Sequence, residues 1–214
     1  MGREWKDGKR FLMKGTVKIL VAGVGGQGVV FFTDLLVEAA MHADIPVGSS
    51  EIYGLAQRGG SVTAGITFGE HTHGFLEKAG VDILVGLEPL EAQRCAAYLH
   101  RGSTAIIDNN RIYPYAVNAG MEAYPDVEKF IEFLKENIRK VVYIADDLGS
   151  LEPAVRNLFV LGKLSEEETF PIPDQYLVKA IENIVKPGSV QASLQAYKAG
   201  RRNNELMYPV KKGW

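Results

Sequence analysis

Residues 19–28, Ile-Leu-Val-Ala-Gly-Val-Gly-Gly-Gln-Gly, run a short apolar strand straight into a glycine-rich turn, and an apolar helix comes next. Gly23, Gly25 and Gly28 fit the spacing G-x-G-x-x-G, with Gly26 and Gln27 filling the turn. This arrangement suits a tight strand-to-helix turn whose backbone can approach an anion. A helix opening near Gln27 turns its first N–H groups and the positive end of its dipole toward that approach. A near-continuous apolar run such as Val17 to Ala22 is the pattern of a strand buried on both faces, as in a parallel sheet.

Working outward, residues 27–43 read as a helix apolar nearly all round, which requires cover from more than one sheet face. Pro46 to Glu51 and Val62 to Phe68 read as strands, and the turn Gly69 to Gly74 as a hairpin. Val81 to Leu87 is another buried strand. Pro89 then opens a helix over Leu90 to His100 that Gly102 stops, and Thr104 to Asp108 comes after it as a strand. Asp126 to Asn137 is amphipathic and helical. Val141 to Ala145 is a strand, after which Asp146 or Asp147 caps the next element. Two or three helices, at 150–163, 174–185 and 189–206, close the chain. Alternating strands and helices predict a three-layer α/β/α, Rossmann-like domain with a mainly parallel sheet and C-terminal helices. The expected organisation is a basic extension at 1–16 and a single domain over 17–214.

The bulk composition narrows the function. At 214 residues, 46% hydrophobic and 23% charged, with a net charge of -2, the chain offers no basic field for nucleic acid or an anionic membrane. No apolar run reaches the ~18 residues of a membrane span. Met1 to Lys14 lacks the apolar core of a signal peptide, so a cytoplasmic location is expected. Cys95 is the only cysteine, too few for a disulfide or a four-thiolate cluster. It falls among alanines on a helix and reads as a buried, inert thiol.

Other chemistry-bearing residues have ordinary explanations. His71 and His73 have no cysteine or acid cluster to complete a metal site, and His42 and His100 lie near expected helix ends. Glu166-Glu167-Glu168 reads as a solvated loop or helix start. Neither a phosphate-binding G-x-x-x-x-G-K-[ST] nor a nucleophile elbow G-x-S-x-G occurs. As a dinucleotide site, the glycine turn wants an acid ending the second strand, and Glu51 stands roughly there. A purely structural tight bend explains the same glycines.

The loop 50–61, Ser-Glu-Ile-Tyr-Gly-Leu-Ala-Gln-Arg-Gly-Gly-Ser, is less ordinary. Gln57 and Arg58 stand beside Gly59, Gly60 and Ser61, and a guanidinium suits bidentate capture of carboxylate or phosphate. An Arg that caps a carbonyl or pairs with Glu51 is the plainer alternative. Long glycine-rich loops past the first strands of an open α/β sheet commonly carry ligand or partner contacts.

Together, Gly23-Val-Gly25-Gly26-Gln27-Gly28 and Ser50-Glu51-x-x-Gly54-x-x-Gln57-Arg58-Gly59-Gly60-Ser61-Val62 resemble the gamma-type subunits of the 2-oxoacid:ferredoxin oxidoreductases. Gly86-Leu87-Glu88-Pro89-Leu90-Glu91-Ala92 and Asn157 to Gly162 are similar to further family positions, so the resemblance spans about 17–200. The Gln57-Arg58-Gly59-Gly60 loop is closest to the indolepyruvate branch. The basic start and Lys/Arg-rich tail depart from the family pattern.

The resemblance implies a component of an enzyme. A large alpha subunit carries thiamine diphosphate and 4Fe-4S clusters, and this chain binds no cofactor alone. Coenzyme A is the co-substrate, ferredoxin accepts electrons through the complex, and an aryl-pyruvate is decarboxylated. No catalytic or metal-binding residue is expected here. The Gly25–Gly28 turn and the Glu51–Ser61 loop are expected to face the large subunit and help order its site or cover coenzyme A. Two alternatives stand beside this one: a free-standing module binding NAD or an adenine nucleotide, and a non-catalytic scaffold.

Overall fold

The computed structural model describes residues 15–54, 60–70, 72–145 and 151–202. Its centre is β1, Val17–Val24, whose Ile19 and Val21 face one hydrophobic core while Leu20 and Ala22 face another. That double burial explains why the run is apolar without alternation. The chain continues through α1 (Val29–His42), β2 (Val47–Tyr53), β3 (Ser61–Phe68), β4 (Val81–Gly86), α2 (Pro89–Arg94) and β5 (Leu99–Asp108). It ends with α3 (Tyr115–Asn118), α4 (Val127–Asn137), β6 (Lys140–Ile144), α5 (Pro153–Ser165), α6 (Asp174–Ile184) and α7 (Val190–Arg201).

The six strands form one sheet in the order β2-β3-β1-β4-β5-β6. β1, β4, β5 and β6 pair in parallel, and β3 runs antiparallel between β1 and β2. Helices α2 and α4 cover one face; α1, α5, α6 and α7 cover the other. This is the expected three-layer α/β/α arrangement with a mainly parallel sheet. The near-uniform apolarity of α1 is explained by its packing against both the sheet and α6.

Several local expectations are corrected. The hairpin is β2–β3, closed across residues 54–60, while 69–80 crosses to the start of β4. Part of that crossing lies on the sheet itself. Thr67 Oγ1 accepts from the N–H groups of His73 (3.1 Å) and Gly74 (3.3 Å), and a Cβ on Gly65 would stand 2.2 Å from the Gly74 carbonyl oxygen. Helix α2 ends at Arg94, a short 3-10 turn spans Ala96–Tyr98, and β5 already begins at Leu99. Gly102 and His100 therefore lie in a strand, the glycine where the β4–β5 register shifts.

Glu167 is not solvated. It is buried against Lys140 Nζ at 2.5 Å and accepts from Thr104 Oγ1 at 3.2 Å, closing the amino-terminal edge of β5 and β6. Asp126, read as the first residue of the helix, is its cap, accepting from the Lys129 N–H at 3.1 Å. His71, Asp146, Asp147 and the terminal segments 1–14 and 203–214 lie outside the described residues.

Helices α5 and α7 meet at two glycines. A Cβ on Gly162 would stand 2.2 Å from the Tyr197 carbonyl oxygen, and one on Gly200 2.0 Å from that of Phe159. Backbone contact at this distance requires glycine on both sides.

Candidate functional site

The glycine turn leaves the carboxyl end of β1 beside the carboxyl ends of β4 and β5. It is held by Gln27 from within and by Asn157 and Gly60 from outside. Gln27 is 3% exposed; its Oε1 accepts from the Val24 N–H at 2.7 Å and its Nε2 donates to the Leu87 carbonyl at 3.1 Å. Gln27 thus ties β1 to β4, and its amide faces inward. A Cβ on Gly23 would stand 3.0 Å from that Oε1, so this glycine makes room for the Gln27 brace.

Gly28 ends the turn at φ 83 and ψ 35, and α1 begins at Val29 with no side-chain cap. Left-handed backbone of this kind favours glycine. Gly26 also lies at positive φ, 96°, but in open space. Asn157, opening the second turn of α5, donates from Nδ2 to the carbonyls of Gln27 (2.8 Å) and Gly28 (3.2 Å). Its neighbour Arg156 forms a buried, two-pronged ion pair with Asp108 at the end of β5, Nη2 to Oδ1 being 2.6 Å. Burial pushes the Asp108 carboxyl above its ordinary range in spite of that guanidinium.

The loop after β2 comes back to the same edge. The Gly25 N–H donates to the Gly60 carbonyl at 2.8 Å, and Ser61 pairs with Val24 as β3 begins. Gly23, Gly25, Gly26, Gln27, Gly28, Gly60 and Ser61 are therefore brought together. Gln57, Arg58 and Gly59 lie outside the described residues. Glu51 stands apart on the edge strand, opposite Ala64, where it accepts from the Tyr53 hydroxyl. Its charge adds to burial in raising the Asp34 carboxyl above the ordinary range. Because β3 separates β2 from β1, Glu51 does not occupy the adjacent-strand position from which an acid reads a ribose.

Two further features lie outside the residues expected at the site. Glu88, two residues past the end of β4, is fully buried. It caps α2 by accepting from the Glu91 N–H at 2.9 Å, and accepts from the Ile112 N–H at 3.3 Å and from the Tyr124 hydroxyl. Burial raises its carboxyl above the ordinary Glu range. Glu88 thereby fixes the excursion after β5, where Tyr113 and Tyr124 meet edge-to-face at 5.0 Å. Glutamate is a poor helix cap by propensity, so only the tertiary partners reveal it.

The second feature is a cavity of about 130 Å³ on the sheet face away from α1, lined by Leu20, Ser50, Ile52, Thr63, Phe75 and Cys95 among others. At its mouth Ile52 is 62% and Phe75 68% exposed. Cys95 is buried and its thiol is pushed up to about 12, mainly by desolvation, so it is no nucleophile. Among the described residues, no three His, Cys, Asp or Glu side chains are grouped to hold a metal. No helix among them is long and apolar enough to cross a membrane.

The family described as Pyruvate ferredoxin/flavodoxin oxidoreductase matches residues 18–203. The chain belongs to this family. The Archaeoglobus fulgidus protein named indolepyruvate oxidoreductase subunit IorB is 32% identical over 86% of this chain and 93% of its own length. The Methanothermobacter thermautotrophicus protein named 2-oxoglutarate synthase subunit KorC is 28% identical over 86% of this chain and 93% of its own.

Among solved structures, the keto/oxoacid ferredoxin oxidoreductase gamma subunit of Geobacter sulfurreducens superposes with a TM-score of 0.62. It is 19% identical, over 86% of this chain and 95% of that one. The 2-oxoglutarate:ferredoxin oxidoreductase of Magnetococcus marinus matches 88% of this chain but 31% of its own, with a TM-score of 0.60 and 19% identity. At these identities the structural matches speak for the fold, and they share it.

Proposed function

We propose that this chain is the small subunit of a cytoplasmic, thiamine diphosphate-dependent 2-oxoacid:ferredoxin oxidoreductase that acts on indolepyruvate or a related aryl-pyruvate. The observation that carries the reading is the 32% identity with a protein named as an indolepyruvate oxidoreductase subunit, sustained over 86% of this chain. In the reaction the 2-oxoacid loses carbon dioxide, its acyl group passes to coenzyme A, and two electrons pass to ferredoxin. A single buried cysteine cannot ligate a four-thiolate cluster, so the clusters belong with a larger partner subunit, as does the thiamine diphosphate. When bound there, these groups supply the carbanion and electron-transfer chemistry.

The role of this chain is then shape, closure and contact. The turn Gly25–Gly28 and the loop Glu51–Ser61 form the face offered to the large subunit and help cover coenzyme A. Two features support that assignment. The turn is braced by Gln27 and Asn157, which gives a partner a rigid surface. The exposed apolar side chains Ile52 and Phe75 border the cavity on the sheet face away from α1, and Ile52 lies near the carboxyl end of β2, where contact with a partner would cover it. The free-standing dinucleotide module is disfavoured by the edge position of Glu51.

The test is Arg58→Ala in the reconstituted complex. Weaker assembly or a raised KM for coenzyme A is expected; if both stay at wild-type values, the proposed face is wrong.

A further inference from the structure

Asn157 is 4% exposed, and both of its amide protons are used on backbone carbonyls of the glycine turn, 130 and 129 residues away in sequence. Because both neighbours are carbonyl oxygens, only the NH2 end of the amide fits there. The turn makes room for it: a Cβ on Gly28 would stand 2.8 Å from Nδ2. The Gly28 carbonyl also accepts from the Phe32 N–H at 2.9 Å, as the first bond of α1.

This has a directional consequence. In a trans peptide the carbonyl and the following N–H point opposite ways, and the described chain has no cis peptide. Holding the carbonyls of Gln27 and Gly28 toward α5 therefore turns the N–H groups of Gly28 and Val29 away from it. Without Asn157 the Gln27–Gly28 peptide, flanked by glycines at positive φ, loses what holds its plane. The first turn of α5 also holds the end of β5 through Arg156 and Asp108, so its own position is fixed.

We propose that Asn157 is a positioning residue for the oxidoreductase reaction. By gripping the carbonyls of Gln27 and Gly28 it sets the direction in which the glycine turn presents its N–H groups to the assembled site. This rests on the reading that the turn belongs to the face covering coenzyme A, and Asn157 acts through the turn rather than on substrate.

The test uses the assembled complex with Asn157→Asp, which keeps the shape but loses both amide protons when ionised, and with Asn157→Ala. The expected result is a rise of about tenfold in KM for coenzyme A, the scale of one or two lost hydrogen bonds, with kcat changed less than twofold. As pH falls, the Asp variant regains one O–H donor, and its KM relative to wild type should drop toward one. A residue serving folding alone lowers the yield of active complex, hence apparent kcat, and leaves KM alone.

KM unchanged in both variants overturns the proposal. If Arg58→Ala still raises KM or weakens assembly, the interface reading survives that failure. If none of the three variants moves KM or assembly, the interface reading falls with it.

Discussion

Alanine at Gly28 and alanine at Gly26 ask the same backbone question in two different surroundings. Both positions are left-handed, at φ 83° and 96°, so each substitution places an L side chain where it costs roughly 1–2 kcal/mol. Alanine also stiffens the unfolded chain, which offsets part of that cost equally at both positions. At Gly26 nothing stands within 4 Å of the new Cβ, so strain is the whole native-state cost. At Gly28 the Cβ meets Asn157 Nδ2 at 2.8 Å, and the amide must withdraw from one or both carbonyls. Leaving those buried groups short of partners adds about 1–2 kcal/mol.

Urea unfolding of the purified chain should therefore show Gly28→Ala less stable than Gly26→Ala by about 1.5 kcal/mol. Combining Gly28→Ala with Asn157→Ala removes the collision, so the two penalties should fall short of additivity by about 1 kcal/mol. Equal penalties at the two glycines, or strict additivity in the double variant, would refute the reasoning.

The same structure supports further expectations. Arg156→Met strands the Asp108 carboxylate in the interior and should cost about 3–5 kcal/mol at neutral pH, less as pH falls and Asp108 is protonated; urea midpoints across pH test it. Glu88 holds its proton more tightly in the folded state than in the unfolded one. Its contribution should thus be fully present below the ordinary Glu value of 4.5 and decline as pH rises through its raised folded value; wild-type stability minus that of Glu88→Gln, measured by urea titration, should show that slope. Gly200→Ala forces α5 and α7 apart against a carbonyl 2.0 Å away and should lower stability by about 3 kcal/mol in thermal or urea unfolding. Cys95 should stay unreactive toward a chromogenic disulfide reagent at pH 8 until urea unfolds the chain.

Much of the fold was legible because local patterns and tertiary demands agree. The apolar run of β1, the turn glycines and the amphipathic face of α4 each arise from a short window of sequence. Strand order was not legible. Nothing in the alternation of Val62 to Phe68 says that this strand inserts antiparallel between β1 and β2, and that insertion is what removes Glu51 from the ribose position. The helix read through to His100 stops six residues earlier because tertiary pairing of Leu99 and Val81 overrides local helix propensity.

At the site, the glycines were visible but the braces were not. Gln27 reads with the turn as a contact residue, but nothing local says that Val24 and Leu87 consume its amide. Asn157 and the Arg156–Asp108 pair act across 129 and 48 residues of sequence, a separation no local pattern encodes. Glu167 misled in the opposite sense, since three consecutive glutamates suggest solvent while the middle one is buried.

The most direct test of the central claim is isolation of the chain from native extract with its partners, and then assay for indolepyruvate-dependent, coenzyme A-dependent reduction of ferredoxin. Recovery with a large subunit holding thiamine diphosphate and iron, and loss of that activity on removing this chain, is the expected result. A chain recovered alone that binds NAD or ATP at micromolar affinity would contradict the account.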